Sequence, residues 1–442
     1  MQALILAAGL GTRLKPHTQS LPKPLLPVAG RELLYRHLYL LRQNGINEFI
    51  LVINPLHEAC FRRFLAQHQE FSCRLVINPS PERGNGYSFY LARKEITGPF
   101  VLTMGDHVYE PEFIKRALKL EGLIIDPEGK YINPQEATKA LCQEGRVQAL
   151  GKDLRQFTGF DTGFFLLSPE VFESASRMAQ SKTSFSLSEV MQEAQIPCSL
   201  LPGLFWMDVD TPQDLKRATK LLVVHSVKGA GDGFISRTLN RRFSTWLSSR
   251  LVGRITPNQA TLLTTLIGLL AAACVFYHPA FGAILYQISS MLDGIDGEIA
   301  RASLRTSPFG GWLDSVLDRL VDFTFLLALG LSFPPPSKLD LAFFLWAVFG
   351  SLMVSYTSER FRGAFQEELH TALPSLRKIP GKRDERIFMT MIFLLWGEIR
   401  LLFAFLAGIT NLRVFLTIFL VWRARGREAK QPTLQGLSYK RV

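Results

Sequence analysis

The sequence predicts an α/β domain with a parallel sheet in its first half, followed by an all-α domain of six transmembrane helices. Two observations support this division. Short apolar runs alternate with helical patterns up to about residue 225, whereas residues 255–292 form a stretch of 38 residues without a charged side chain. The charge divides in the same way: residues 1–225 hold 25 Lys and Arg against 23 Asp and Glu, and residues 226–442 hold 25 against 15.

Composition excludes several classes of protein. Of the 442 residues, 47% are hydrophobic, which is too many for a disordered chain, and 20% are charged, which is too many for a chain embedded in lipid throughout. The five cysteines show no paired spacing, so we expect no disulfide framework or zinc site and a reducing compartment. Their positions are Cys60, Cys73, Cys142, Cys198 and Cys274.

The first half shows the strand–helix alternation of a parallel sheet with helices on both faces. Buried strands are predicted at 2–8, 49–54, 73–77 and 99–104, and helices at 31–44, 56–69 and 112–120. Ligands of such sheets bind beyond the carboxyl ends of the strands. The turn after the first strand is therefore the first place to look for a site.

That turn is rich in glycine and followed by cations. Gly9 and Gly11 allow backbone N–H groups to approach a phosphate, and Thr12 and Arg13 add a hydroxyl group and a guanidinium. Lys23 follows ten residues after Arg13, between two prolines that stiffen the loop. The turn lacks the Walker pattern of a P-loop and the acidic residue of a dinucleotide site.

The combination Gly-x-Gly-Thr-Arg and Pro-Lys-Pro resembles the signature of the sugar-phosphate nucleotidyltransferases over about residues 1–225. The resemblance implies a Rossmann-like α/β fold and attack of a phosphate monoester on the α-phosphorus of a nucleoside triphosphate, with release of pyrophosphate. It implies that Arg13 and Lys23 are catalytic and that Gly9, Gly11 and Thr12 bind the nucleotide.

Further roles follow from the same resemblance. Asp106, at the end of "VLTMGDHVY", and Asp208, in "FWMDVDTPQDL", are implied ligands of one or two Mg²⁺ or Mn²⁺ ions, with Asp210 as the rival of Asp208. The remaining implied contacts are Asn85 and Gly86 of "ERGNGYS" for the base, Asp161 for the sugar, and Lys139 and Lys152 for the substrate phosphate. Asp161, Lys139 and Lys152 are equally typical of ordinary turn or surface residues.

The second half predicts six membrane spans. Two lie in 255–292 around a hairpin at 277–281, and four follow at about 310–332, 340–358, 387–397 and 401–422. Placing both termini in the cytoplasm puts 21 of the 25 basic residues of this half on the inner side, as the positive-inside rule requires. We therefore expect a multi-pass protein of the cell membrane, with both active sites cytoplasmic. A soluble helical domain would leave this charge bias unexplained.

Four domains or segments follow from these patterns. They are a cytoplasmic domain at 1–225, a linker with an amphipathic juxtamembrane helix at 226–254, the membrane domain at 255–425 and a basic cytoplasmic tail at 426–442.

Carboxylates recur at a predicted membrane edge. The pattern is Asp-x-x-Asp-Gly-x-x-Ala-Arg, followed after eight residues by Gly-x-x-x-Asp-x-x-x-Asp. Its spacing places Asp293 and Asp296 on one helical face, and Asp314 and Asp318 on one face of the next helix. So many carboxylates repel one another unless divalent cations such as Mg²⁺ or Mn²⁺ neutralise them. Gly297 also leaves helix surface bare for a nucleotide. The other interpretation is a solvated helix end.

This aspartate signature resembles that of the CDP-alcohol phosphotransferases, over roughly residues 235–425. The resemblance implies that the four aspartates hold two divalent ions and that Asp318 also takes the proton from the attacking hydroxyl group. It implies nucleotide contacts from Asn258, in the family-like "PNQAT", and from Gly297, Ala300 and Arg301.

The acceptor has a candidate phosphate site between the fourth and fifth spans. Its arginines are Arg360, Arg362, Arg383 and Arg386. Arginine binds phosphate in a bidentate manner, but anchoring to anionic lipid headgroups explains such a segment nearly as well. The run "GKRDER" resembles the segment of family members whose acceptor is inositol phosphate, so we expect a phosphorylated acceptor.

Together the halves resemble the bifunctional inositol-1-phosphate cytidylyltransferases and di-myo-inositol phosphate phosphate synthases of hyperthermophilic prokaryotes. The resemblance implies CTP, inositol 1-phosphate and CDP-inositol as ligands, release of CMP, and a homodimer formed through the membrane domain in a lipid bilayer. No nucleic acid partner is expected. The alternatives are a phospholipid synthase with a lipid CDP-alcohol donor and a regulatory or relic first domain, or a non-enzymatic receptor or transporter.

Overall fold

A computed structural model of the chain describes residues 1–9, 11–227 and 233–425. The predicted basic tail and residues 228–232 of the predicted linker lie outside these residues. The described chain divides into two compact units. The first comprises residues 1–225 with 302–304, and the second comprises the rest.

A mixed sheet forms the centre of the first unit. The strands of this unit are β1 Gln2–Ala7, β2 Pro27–Val28, β3 Arg31–Glu32, β4 Glu48–Ile53, β5 Ser72–Ile77, β6 Phe100–Met104, β7 His107–Tyr109, β8 Gly122–Asp126, β9 Lys139–Gln143, β10 Arg146–Gly151, β11 Gly159–Leu167, β12 Cys198–Leu200 and β13 Trp206–Asp208. The main path of the sheet runs β10-β9-β11-β6-β1-β4-β5, and β8 joins β11 to β12. Strands β7 and β13 form a separate ribbon, as do β2 and β3.

The prediction that the strands are parallel is confirmed for the four predicted strands but not for the whole sheet. Strand β1 lies parallel to β4 and β6, and β4 lies parallel to β5, so the four predicted strands are parallel neighbours. Beyond β6 the prediction is wrong for β11, which runs antiparallel to β6, β8 and β9, whereas β12 lies parallel to β8. The tight turn at Glu144 and Gly145, both with positive φ, returns the chain directly from β9 to β10.

The helices of the first unit cover the predicted positions and add others. They are α1 Leu33–Gln43, α2 Glu58–Gln67, α3 Asn85–Leu91, α4 Pro111–Ala117, α5 Val171–Ser181, α6 Leu187–Glu193 and α7 Pro212–His225. The core lies along β1, where Leu4 and Ile5 are fully buried, and Leu4 is opposite Ile50 of β4 and Leu102 of β6. The ends of β1 and β6 therefore meet at one edge of the sheet.

Two of the five cysteines are neighbours in the sheet. The sulfur atoms of Cys142 in β9 and Cys198 in β12 lie side by side, although 56 residues separate them in the sequence. The turn between β9 and β10 brings them together, because the N–H of Cys198 donates to the carbonyl oxygen of Gly145 at 2.9 Å. Scattered spacing could not reveal a contact created by the sheet.

In its described residues the second unit is built from helices joined by short loops. Its helices are α8 Arg241–Leu251, α9 Pro257–Val275, α10 Pro279–Leu292, α11 Ile295–Ala302, α12 Pro308–Ser332, α13 Lys338–Phe365, α14 Leu369–Ala372, α15 Arg383–Leu395 and α16 Ile399–Arg425. A helix lies at each predicted span, and α9 and α10 are joined by a hairpin at 276–278.

Three of the described helices, α9, α13 and α16, are long and apolar enough to cross a membrane. Helices α10 and α15, of 14 and 13 residues, rise only about 20 Å against a hydrocarbon core of about 30 Å. Helix α12 has the length, but it carries Asp314, Asp318, Arg319 and Asp322. The structure thus shows a helical unit with three candidate spans.

Small residues let these helices approach closely. A Cβ built on Gly282 of α10 would lie 2.9 Å from the carbonyl oxygen of Ala271 in α9, and one on Gly350 of α13 would overlap the Thr410 hydroxyl of α16. Contacts of this kind are typical of helix pairs in membranes. They bring α10 against α9 and α13 against α16.

Candidate active sites

The first site lies at the carboxyl ends of β1 and β6. Gly11 adopts a positive φ of 60° before a short 3₁₀ turn at Thr12–Leu14, and its carbonyl oxygen accepts a hydrogen bond from the Thr18 hydroxyl at 2.8 Å. A Cβ at Gly9 would meet no described atom within 4 Å. The backbone after β1 is therefore accessible to a ligand, as expected of a phosphate-binding turn.

Lys23 joins two carboxylates at this edge. Its Nζ lies 2.7 Å from Asp106 Oδ2 and 2.5 Å from Asp210 Oδ1, and its side chain is only 10% exposed. Arg13 reaches the other oxygen of Asp210 at 3.1 Å. Burial lowers the pKa of Lys23, but the two carboxylates outweigh it and raise that pKa above its ordinary value. The ammonium group stays charged.

His107 completes the surroundings of Asp106. Its Nδ1 lies 2.8 Å from Asp106 Oδ1. Burial raises the pKa of Asp106, but Lys23 first, and then His107, lower it far below its ordinary value. Gly163 of β11 makes room for the imidazole, since a Cβ there would lie 2.7 Å from Nε2. Sequence reasoning missed His107, although it directly follows the predicted metal ligand.

Both rival carboxylates are near Asp106. Asp208 lies opposite His107 in the β7–β13 ribbon. Burial raises the pKa of Asp208; His107 lowers it, but the charges of Asp210 and Asp106 also raise it, and the net shift is upward. Asp208 thus adds a carboxylate beside Asp106, and carboxylate oxygens are the ligands that Mg²⁺ prefers. Asp210 differs in that it contacts the two predicted catalytic cations.

The predicted base-recognition loop, which contains Asn85 and Gly86, packs against residues 185–187. The side-chain oxygen of Asn85 accepts a hydrogen bond from the Leu187 N–H at 2.8 Å. A Cβ on Gly86 would lie 2.5 Å from the Phe185 ring and 2.7 Å from the Ser186 carbonyl oxygen. Gly86 is thus required for close packing, whatever it contributes to a nucleotide.

The predicted sugar and phosphate contacts form hydrogen bonds with nearby backbone groups. Asp161 accepts a hydrogen bond from the Gly163 N–H at 2.7 Å, and burial raises its pKa although this hydrogen bond and then His107 lower it. Lys139 donates to the Lys152 carbonyl oxygen at 2.9 Å, so these two lysines are neighbours.

The second site lies in the helical unit. Asp293 follows α10, and Asp314 and Asp318 lie on α12; each offers an oxygen within 4.8 Å of the others. This donor set fits a divalent ion. Asp296 is fixed beside them, because its Oδ2 accepts a hydrogen bond from Thr261 at 2.8 Å. Thr261 is the last residue of the "PNQAT" segment, and this hydrogen bond to Asp296 gives its hydroxyl group a structural role.

Arg383 lies at the centre of these carboxylates. Its Nη1 is 2.9 Å from Asp293 and 3.1 Å from Asp318, and its Nε is 3.1 Å from Asp322. Asp322 also accepts a hydrogen bond from the Tyr286 hydroxyl at 2.7 Å. Asp322 was missed, although it continues the four-residue spacing of Asp314 and Asp318.

The four predicted acceptor arginines do not lie together. Arg386 donates to the Ser351 carbonyl oxygen at 2.7 Å and lies 3.7 Å from Asp322. Arg362 pairs with Glu359 at 2.5 Å near the end of α13, and Arg360 is exposed beside it. Among the described contacts, none joins Arg360 or Arg362 to the aspartate cluster.

The predicted nucleotide face is partly covered. A Cβ on Gly297 would lie 2.9 Å from Arg301 Nη1, so the Arg301 side chain lies over the glycine surface expected to be bare. Arg301 Nε also donates to the Ser226 carbonyl oxygen at 2.5 Å. Ala300 is half-buried, and the exposed Asn258 lies beside Gly310.

Family models match both units. One described as nucleotidyl transferase matches residues 2–122, and one described as CDP-alcohol phosphatidyltransferase matches residues 254–424. Families of both kinds generally use divalent metals. The second match and the three apolar helices indicate membrane association.

Similar proteins extend over nearly the whole chain. A "Bifunctional IPC transferase and DIPP synthase" of Aquifex aeolicus (strain VF5) is 51% identical over 96% of this chain and 99% of its own length. One of the same description from Thermococcus kodakarensis is 48% identical over 95% and 97%. A solved structure described as the inositol-1-phosphate CTP transferase from T. maritima is 28% identical, covers 50% of this chain and 95% of its own, and gives a TM-score of 0.45. From the two full-length relatives and the two matching families, the chain belongs to the family of bifunctional IPC transferases and DIPP synthases.

Proposed function

We propose that the chain makes a CDP-alcohol at the first site and consumes it at the second. The first reaction joins CTP and inositol 1-phosphate to give CDP-inositol and pyrophosphate. The second transfers phosphoinositol from CDP-inositol to inositol 1-phosphate, which gives di-myo-inositol phosphate phosphate and CMP. The observation that carries the proposal is the presence of two assembled charge clusters, around Lys23 and around Arg383, in one chain.

At the first site the predicted catalytic residues supply positive charge and do not act as a general base. The phosphate of inositol 1-phosphate is already anionic, so its oxygen attacks the α-phosphorus without proton removal. Lys23 and Arg13 lie on either side of Asp210 and are placed to compensate the charge that develops on the phosphates. We assign Asp210 to holding these two cations and Asp208 to the metal. Gly9, Gly11 and Thr12 would bind the phosphates, and Asn85 and Gly86 the base.

Metal ions are expected at both sites. Asp106 and Asp208 would hold one or two Mg²⁺ or Mn²⁺ ions, and Asp293, Asp296, Asp314 and Asp318 would hold two. When bound, these ions would neutralise the negative charge of the phosphates and of the leaving group.

At the second site Asp318 would act as the base. Its carboxylate takes the proton of the attacking hydroxyl group while a new O–P bond forms and the bond to CMP breaks. Arg383 contacts both Asp318 and Asp293, so it is placed to orient the carboxylate and to bind phosphate. A cavity of about 180 Å³ opens beside Asp293 and Arg383, and we assign it to the acceptor.

We further propose six spans, with both termini and both sites on the cytoplasmic side, and the predicted domain boundaries. Support comes from the inner bias of basic residues and from a row of apolar side chains left exposed on α12. These are Phe309, Trp312, Val316, Leu320, Phe323, Leu327 and Leu331. Their spacing of three or four residues forms one face for lipid or for a second copy in a homodimer.

The test follows phosphorus by NMR. Detergent-solubilised protein is incubated with CTP, inositol 1-phosphate and Mg²⁺. We expect pyrophosphate, CMP and a phosphodiester to appear without added lipid. A product that forms only when a lipid CDP-alcohol is supplied would refute the proposal and favour a phospholipid synthase.

A further inference from the structure

The juxtamembrane helix α8 is joined to the aspartate signature by a buried carboxylate. Glu298, which stands between Gly297 and Ile299 of the signature, is fully buried. Its Oε1 lies 2.9 Å from Arg241 Nη1 and accepts a hydrogen bond from the Ser244 hydroxyl at 2.7 Å. Its Oε2 accepts one from the Ser248 hydroxyl at 2.7 Å. The three donors are spaced three and four residues apart, so they share one face of α8.

The path of the Arg241 side chain depends on a glycine of the signature. A Cβ built on Gly294 would overlap Nη1 of Arg241. The guanidinium thus passes directly over the backbone next to Asp293 to reach Glu298. Because Glu298 is also held by two serines, it fixes the orientation of the guanidinium.

Arg241 also lines the cavity assigned to the acceptor. The cavity wall includes Asp293 and Arg383 of the aspartate cluster, together with Lys382 and Asp384 at the start of α15. Its cations are Arg241, Lys382 and Arg383, against the carboxylates Asp293 and Asp384. The lining also includes Ser236 and Ser290, together with Ser244, whose hydroxyl group donates to Glu298. Such a lining suits a phosphate monoester attached to a polyhydroxyl compound.

We propose that Arg241 binds the phosphate of the acceptor and that Glu298 is its positioning residue. The inference rests on the proposed function and adds a phosphate contact from the juxtamembrane helix. Arg383 and Arg241 approach the cavity from different helices, so they hold the phosphate from two directions. The acceptor hydroxyl group is thereby kept on the side of Asp293 and Asp318.

A purely structural role for Arg241 makes a different prediction. An arginine that only neutralises buried Glu298 becomes dispensable once Glu298 is also neutral, since replacing both members of a buried pair removes the unpaired charge. An arginine that binds phosphate remains necessary in the same background. The double variant Arg241→Gln, Glu298→Gln therefore separates the two roles.

The experiment supplies CDP-inositol and Mg²⁺, varies inositol 1-phosphate, and measures CMP release by solubilised full-length protein. For Arg241→Gln and for the double variant we expect KM for inositol 1-phosphate to rise about 10-fold or more, because a hydrogen bond to a charged group is lost. KM for CDP-inositol should stay unchanged. Arg241→Lys should recover part of the loss, and inorganic phosphate should inhibit the glutamine variants more weakly than wild type.

The matched control is Arg250→Gln, on the same helix, where the exposed guanidinium lies 3.8 Å over the Trp246 ring. It should keep the wild-type KM. A double variant whose KM for inositol 1-phosphate returns to the wild-type value would overturn the inference, even if Arg241→Gln alone fails to fold. A wild-type protein that releases no CMP from CDP-inositol would instead contradict the proposed function.

Discussion

Arg383 and Asp322 form a close ion pair in which the arginine Nε lies 3.1 Å from one carboxylate oxygen and 3.2 Å from the other. Asp322 stands one helical turn beyond Asp318 on α12. The pair anchors α15 to α12 and leaves Nη1 of Arg383 directed at Asp293 and Asp318. The position of the central guanidinium is thus set by a carboxylate that is not part of the aspartate signature.

Replacing Asp322 should impair the second reaction alone. Asp322→Asn removes the charge that anchors Arg383, and we expect kcat/KM for inositol 1-phosphate, with CDP-inositol supplied, to fall about 10-fold or more. Formation of CDP-inositol from CTP should be unaffected. Asp340→Asn is the control and should behave as wild type, because half-buried Asp340 lies at the start of α13, where its carboxylate accepts a hydrogen bond from the Ser337 hydroxyl. Equal rates for the two variants would show that Asp322 does not position Arg383.

The packing at Gly86 predicts a stability effect at the nucleotide loop. Gly86→Ala places a methyl group against Phe185 and the Ser186 backbone, so it should destabilise the first unit by about 1–3 kcal/mol and raise KM for CTP. Gly98→Ala is the matched control, because a Cβ there meets no described atom within 4 Å. Chemical unfolding and CTP titration compare the two. A Gly86→Ala protein as stable as the Gly98→Ala protein would contradict the packing.

The pairing of Lys23 with Asp106 predicts a pH dependence of stability. Because Lys23 lowers the pKa of Asp106, the pair contributes stability above the ordinary aspartate pKa and loses it as the pH falls through the lowered value. In Lys23→Met the pKa of Asp106 moves upward, since burial is opposed by His107 alone. The variant should be less stable than wild type by about 1–3 kcal/mol at pH 7, and the difference should shrink towards pH 4.

Urea unfolding of 5-fluorotryptophan-labelled full-length protein measures this difference at the Trp206 resonance, which belongs to the single tryptophan before residue 226. Lys220→Met, at an exposed position of α7, is the control. A difference in free energy of unfolding between wild type and Lys23→Met that stays constant or grows on acidification would contradict the ion pair of Lys23 and Asp106.

Features that depend on residues close together in the sequence were predictable. The buried run at β1, the glycine turn and the spacing of Asp293, Asp296, Asp314 and Asp318 each depend on neighbouring residues, and the sheet edge then brings Asp106 to Lys23. The antiparallel pairing of β11 and the contact between Cys142 and Cys198 were not predicted, because they depend on where distant strands pair.

The same limit applies to the second site. The role of Asp322 depends on Arg383, 61 residues away, and that of Glu298 depends on α8. Buried carboxylates of this kind resemble ordinary helix residues until their partners are placed. The short α10 and α15 likewise reflect where helices stop, which hydrophobicity alone indicates poorly.

The most direct test of the two-site account separates the reactions with Lys23→Ala and Asp318→Asn, each followed by ³¹P NMR with and without supplied CDP-inositol. Lys23→Ala should form no CDP-inositol from CTP, yet give CMP and the phosphodiester when CDP-inositol is supplied. Asp318→Asn should accumulate CDP-inositol and pyrophosphate and release no CMP. Loss of both reactions in either variant, with the protein still folded, would contradict two independent active sites in this chain.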